Sequence, residues 1–183
     1  AMQMFWAKNT VRRSATKPNW ATMPIHERDH YMGIARALGW EGGIPEVKFP
    51  LADGPVLELP RPIIGVCNGA FKAAMWTKKH WPHFPVLANT LKRYFRGAIV
   101  GVGHRGELHG VPLDKDYTGA TSITQTAKII SQCDLFVTTD TGNMHVADAI
   151  GVPLIALFGS TLLTKNRPVS PRAVSLCVPL PCV

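Results

Sequence analysis

Apolar residues gather in short unbroken blocks over the second part of the chain. They are IIGVC at Ile63–Cys67, AIVGV at 98–102, DLFVT at 134–138 and PLIALF at 153–158. Blocks this short, bounded by glycine, proline and small polar residues, predict strands buried on both faces. Between them the period lengthens to three and four. One helix is predicted from the Pro82/Pro85 pair to about Phe95, with Val86, Leu87, Leu91 and Phe95 inward. A second, capped by Ser122 or Thr121, runs through Ser131 with Ile123, Ala127 and Ile130 on its apolar side. A third, short one covers residues 143–150. Ahead of these, Tyr31, Ile34, Ala35 and Leu38 mark an amphipathic helix over 25–38, stopped by Gly39 and Gly42-Gly43. Residues 1–24 read as an irregular arm. Residues 41–61 read as a Pro/Gly-rich connector with a short strand at 46–49. After Thr161 no period is clear.

Strand and helix alternate from about residue 60. That order predicts an α/β fold: a Rossmann-like parallel sheet with helices on both faces and right-handed crossovers. The chain divides into residues 1–60 (arm, helix and connector) and a Rossmann-like domain over 61–183. In such sheets a ligand sits beyond the carboxyl ends of the strands.

Composition narrows the class. Hydrophobic residues make up 46% of the chain and charged residues 17%, so a packed core is expected and global disorder is not. No apolar run approaches the ~18 residues of a membrane-spanning helix. The expected compartment is the cytoplasm, with a peripheral place at the inner membrane as an extension of that expectation. The net charge of +8 suits either a soluble basic protein or one drawn to an anionic partner such as nucleotide phosphate or acidic lipid. The basic residues form no long tract and accompany no nucleic-acid motif, so nucleic acid is not expected as a partner. Cys67 and Cys133 lie in apolar segments and read as buried small hydrophobes. Cys177 and Cys182 are a candidate zinc half-site without an evident second pair.

Candidate chemistry concentrates where the strands end. In TTDTGNMH the chain leaves a strand, passes Asp140, Thr141 and Gly142, and enters a helix. A helix start offers N–H groups and partial positive charge to a phosphate. Gly142 lets a ligand approach the backbone. Asp140 suits sugar hydroxyls better than phosphate; equally, Asp140 or Thr141 could do no more than cap the helix. Gly159, Ser160 and Thr161 form a second glycine turn after the neighbouring strand. The segment 68–84 carries three lysines, which read either as diphosphate ligands or as a solvated basic loop. Its Trp76 and Trp81 suit packing or base stacking. Finally, HERDH matches a zinc-hydrolase motif, with His26 and His30 as ligands and Glu27 as base. Pro24, the charged middle residues and the lack of a third ligand at a recognisable spacing favour a polar first helical turn instead.

These residues carry a resemblance. DTGNMHVADAIGVPLIALFGST is similar to a long block of the family 9 glycosyltransferases, the ADP-heptose:lipopolysaccharide heptosyltransferases. KHWP at 79–82, the helix containing HERDHYMGIARALG and the tail CVPLPC also resemble family segments. The resemblance implies the C-terminal, donor-binding half of a GT-B fold and a nucleoside diphosphate sugar, ADP-heptose-like, as donor. The acceptor would be a lipopolysaccharide-core-like anionic glycolipid at the membrane surface. By residue, it implies Lys79 at the donor phosphate, Glu107 at the ribose and Thr121 by the base. It implies Asp140 at sugar hydroxyls, Thr141 and Gly142 as backbone contacts to the diphosphate, and His145 near the phosphate. No metal or other cofactor is implied. Ser160 departs from the family's proline. The family's acceptor domain and catalytic carboxylate are expected to be missing here, so no catalytic base is assigned and little or no transfer is expected from this chain alone. A non-catalytic interaction module keeping the fold is the rival expectation. Self-association through apolar surface is a further one.

Overall fold

The computed structural model describes residues 25–69 and 74–178. The expectations for the arm 1–24, for Lys72 and for Cys182 lie outside the described residues, as does the side chain of Trp76. The chain forms two compact units. Of the described residues, the first holds 25–46 with 164–166; the second holds 47–69, 74–163 and 167–178.

In the first unit, α1 spans Glu27–Ala37. His26 is its N-cap, and the Nδ1 atom accepts the Arg28 N–H at 3.1 Å. The predicted apolar stripe is not the buried one: His30 is the buried residue, while Tyr31 and Leu38 are about half exposed.

The second unit is a six-stranded sheet with every pairing parallel. Its strands are β1 (Ile63–Cys67), β2 (Ala98–Gly101), β3 (Lys115–Asp116), β4 (Leu135–Thr139), β5 (Leu154–Phe158) and β6 (Ala173–Cys177). The helices are α2 (Phe84–Tyr94), α3 (Ile123–Ile130) and α4 (Gly142–Ile150), with a 3-10 helix at Ala74–Lys79; all but the first residue of the single turn α5 (Leu163–Asn166) falls in the first unit. The strand order is β3-β2-β1-β4-β5-β6. This is the doubly wound arrangement expected. The chain winds outward from β1 to β3, then crosses back to β4 and winds the other way. The reversal falls between β1 and β4, which is where such a sheet opens a crevice.

The alternation of side chains sorts the core into two layers. Ile63 and Cys67 of β1, Phe136 of β4 and Leu154 and Ala156 of β5 pack against Ala127, Ile129 and Ile130 of α3 and Met144 and Ala147 of α4. Ile64, Val66, Ile99 and Val137 pack on the other face against Phe84 and Ala88 of α2. Ser122 and Gln125 form a reciprocal capping box at the start of α3. Gly151 ends α4 in the left-handed region, at φ 81°.

Several expectations change in detail. Val86 and Phe95 of the predicted α2 stripe are exposed, and Phe84 and Ala88 take the core positions. Ile123 is exposed at the first turn of α3, with Ile129 buried instead. No strand forms at 46–49. Within the lysine segment, residues 74–79 form the 3-10 helix rather than an open loop. The edge strands β3 and β6 and the turn α5 were not predicted. Among the described residues no helix is long and apolar enough to cross a membrane.

Candidate functional site

Because all strands run the same way, the segments that follow them emerge along one edge. After β1 come Asn68 and Gly69, and after β2 Gly103. Asp140 and Thr141 follow β4, and Gly159 follows β5. At the β1/β4 reversal, Thr139 Oγ1 donates to the Gly69 carbonyl at 3.1 Å, tying the two strand ends together.

The central contact of this edge joins residues 61 apart in sequence. Lys79 Nζ lies 2.8 Å from Asp140 Oδ2 and also donates to the Asp140 carbonyl at 3.1 Å. The two side chains retain 13% and 5% of their exposure. A pair this enclosed is held by geometry, since either charge alone would be strongly disfavoured there. Lys79 and Asp140, selected separately from the sequence, therefore meet at one place.

Glu107 enters from the segment after β2. The His104 N–H donates to Oε2 at 2.9 Å. That oxygen stands 2.7 Å from where a Cβ on Gly69 would be, and it also crowds the Cβ position of Gly103, whose φ is 132°. The φ of Gly103 favours glycine there, while a side chain at Gly69 would have to displace the end of Glu107. Cys67 lies beside it. Its thiol is pushed up by burial, opposed by the Asn143 amide, which donates to Sγ at 3.3 Å, and pushed further by the Glu107 charge. It is a packing residue, as expected.

Thr141 is the N-cap of α4 but makes no side-chain capping bond. The capping role allowed for Thr141 is therefore not observed, and its Oγ1 lies 3.4 Å from Thr138 Oγ1. A Cβ on Gly142 would meet no heavy atom within 4 Å, and the same is true of Gly159. The space over both glycine turns is open. His145 is exposed on α4. Thr121 bonds Thr126 Oγ1 at 2.8 Å at the start of α3, leaving the capping of that helix to Ser122. Thr161 Oγ1 is buried without a hydrogen-bond partner.

The charges and open space at this edge can hold an anion beside a polyhydroxylated group. The model of "Glycosyltransferase family 9 (heptosyltransferase)" matches residues 108–183. Over these residues the chain resembles glycosyltransferase family 9. Lipooligosaccharide heptosyltransferase 2 of Haemophilus influenzae is 30% identical over 128 residues, covering 62% of this chain and 36% of that protein. The solved ADP-heptose lipopolysaccharide heptosyltransferase II of E. coli is 30% identical with a TM-score of 0.55, over 64% of this chain and 38% of that one. A family 9 glycosyl transferase from Veillonella parvula shares the fold at 20% identity, with a TM-score of 0.66 over 85% of this chain and 50% of that one. The chain thus spans about a third to a half of the length of these relatives. Asp140, Thr141, Gly142 and His145 fall inside the family 9 segment; Lys79 and Glu107 precede it.

The HERDH turn is accounted for differently. His26 Nδ1 is spent on the cap of α1, and Glu27 Oε2 faces Lys165 Nζ at 3.4 Å within the first unit. No cluster of three metal-ligating side chains occurs among the described residues. A helix cap stands where the zinc reading needs a ligand. Trp81 packs on Phe84, ring centroids 5.4 Å apart, as an ordinary hydrophobe. The sequence reading missed Asn68, whose buried amide bonds both backbone groups of Trp81. Its position directly after a buried strand was the available signal.

Proposed function

We propose that the carboxyl edge of the sheet binds a nucleoside diphosphate sugar of the ADP-heptose kind, as donor for transfer to a lipopolysaccharide-core-like acceptor. The observation that carries this reading is the Lys79–Asp140 pair at the β1/β4 reversal, next to the open space over Gly142. The solved E. coli relative named for ADP-heptose supports the choice of donor.

The proposed chemistry follows from charge. A diphosphate arriving at the start of α4 meets the backbone N–H groups of Thr141 and Gly142 and the positive end of the helix. It then draws Lys79 Nζ from Asp140. The carboxylate so released accepts hydrogen bonds from sugar hydroxyls. Glu107 takes the ribose hydroxyls, Thr121 lies by the base, and His145 lies on the phosphate side of α4. Gly159, Ser160 and Thr161 border the sugar end. As the diphosphate departs, Lys79 and the helix stabilise its developing charge. A net charge of +8 favours an anionic glycolipid acceptor at a membrane surface. A cytoplasmic site of action and self-association complete the proposal. No catalytic base is assigned to these residues.

Titration calorimetry of the chain with ADP, UDP and GDP sugars tests the reading. Saturable binding is expected, strongest for ADP sugars, with Lys79→Ala weakening it at least ~tenfold, the equivalent of one charge-assisted contact. No saturable binding to any of the three would overturn it and leave the interaction-module rival.

A further inference from the structure

Lys79 ends a 3-10 helix and projects into the site from a segment that belongs to no strand. Something must fix that segment if Nζ is to reach Asp140. The structure offers one two-point clamp. Asn68, buried directly after β1, donates from Nδ2 to the Trp81 carbonyl at 3.0 Å. Its Oδ1 accepts the Trp81 N–H at 2.8 Å. The amide thus pairs with residue 81 as a neighbouring strand would, two residues after Lys79. Downstream, the Trp81 ring is seated edge-on against Phe84 of α2. Upstream, the His80 N–H closes the 3-10 turn on the Thr77 carbonyl at 3.0 Å. The backbone two residues after Lys79 is therefore tied to the end of the core strand by the Asn68 side chain.

Resting on the donor reading above, we infer that Asn68 is a positioning residue for Lys79. It acts through the backbone of Trp81 and sets where the ammonium group stands at the β1/β4 crevice. Both amide atoms are used, so no residue lacking either a donor or an acceptor substitutes fully. Removing the side chain leaves the N–H and C=O of Trp81 without these partners, and the segment relaxes to recover them from water. Lys79 then leaves its enclosed place beside Asp140.

The test uses the full chain and does not depend on the donor. Acetylation of lysines by an amine-reactive ester is followed by mass spectrometry, with the exposed neighbour Lys78 as internal reference. Asn68→Ala is expected to raise the Lys79:Lys78 rate ratio about tenfold, the scale of one lost hydrogen-bonded arrangement. Asn68→Asp keeps the acceptor but loses the donor, gives a smaller rise and decides the matter if the alanine variant does not fold. Asp114→Ala, at the opposite edge, lowers the melting temperature and leaves the ratio unchanged. With ADP as probe, Lys79→Ala weakens binding less in the Asn68→Ala background than in the native one, because both changes remove the same contact. An unchanged ratio in both Asn68 variants, or losses of ADP affinity that simply add, overturns the inference. A shifted ratio in a chain that does not bind ADP upholds the positioning role and defeats the donor reading.

Discussion

The two edges of the sheet use the same kind of side chain in opposite ways. At the amino edge, Asp134 accepts the Ile63 N–H at 2.7 Å and pairs with Arg61. Asp114 accepts the Ile99 N–H and the Lys92 ammonium, both at 2.8 Å. Asp148, at the far end of α4, accepts the N–H groups of Val169 and Ser170 at 2.9 and 2.8 Å, just before β6. Each carboxylate occupies a backbone donor at or near a strand start, where the ladder supplies no partner. At the carboxyl edge Asp140 is held otherwise, matched by a lysine from a distant segment, while Glu107 accepts a local loop N–H, that of His104, between two glycines. Acids at the first edge build the sheet. Asp140 at the second is enclosed with Lys79, and taking both charges out of water costs stability.

Four variants sharpen that contrast. The largest effect is expected from Asp140→Ala, which leaves Lys79 enclosed without its partner and lowers stability by about 3–5 kcal/mol. The double change Lys79→Met with Asp140→Leu should recover most of that in chemical denaturation while abolishing donor binding; a double variant as unstable as the single one would show that the pair is structural. Next, Asp134→Ala should cost about 1–3 kcal/mol, because the Ile63 N–H is left buried, with donor affinity unchanged in calorimetry. Gly142→Ala should raise the melting temperature slightly, by about 0.4–1 kcal/mol in stability, since it stands at a helix start with open space above it. The same methyl group should weaken donor binding, and unchanged binding would remove Gly142 from the site.

The smallest effect concerns pH. Burial pulls the Asp114 carboxyl upward. The hydrogen bond from Lys92, the Ile99 N–H and the Lys92 charge together outweigh it, so the group stays below its ordinary value. Its contribution is then present above the ordinary carboxylate range and lost as pH falls through the lowered value. Asp114→Asn should flatten the acid side of the melting profile, by less than about 1 kcal/mol because the side chain is partly exposed. A steeper acid limb would contradict the assignment.

Much of the architecture was legible because the buried strands leave unbroken apolar blocks. β1 falls where IIGVC predicts it, and the central strands and α4 shift by no more than a residue at either end. The edge strands were hidden for the opposite reason. β3 is two exposed residues, and β6 alternates exposed and half-buried positions without a continuous block. Helix faces were harder still: periodicity selected Val86 and Ile123, but the sheet lies against Phe84 and Ile129. In the candidate site, Asp140 and Gly142 could be chosen from residue type and place, and Lys79 from the resemblance of KHWP to a family segment. Their pairing could not, because it joins two crossovers through a fold. The position of Asn68 after a buried strand was legible, but its role was not, since that role lies in the backbone atoms of a residue 13 positions away.

The account is tested most directly by a crystal structure of the chain with ADP. The diphosphate is expected over Gly142 at the start of α4, with Lys79 Nζ turned from Asp140 to a phosphate oxygen. A nucleotide bound elsewhere, with the Lys79–Asp140 pair intact, would contradict it.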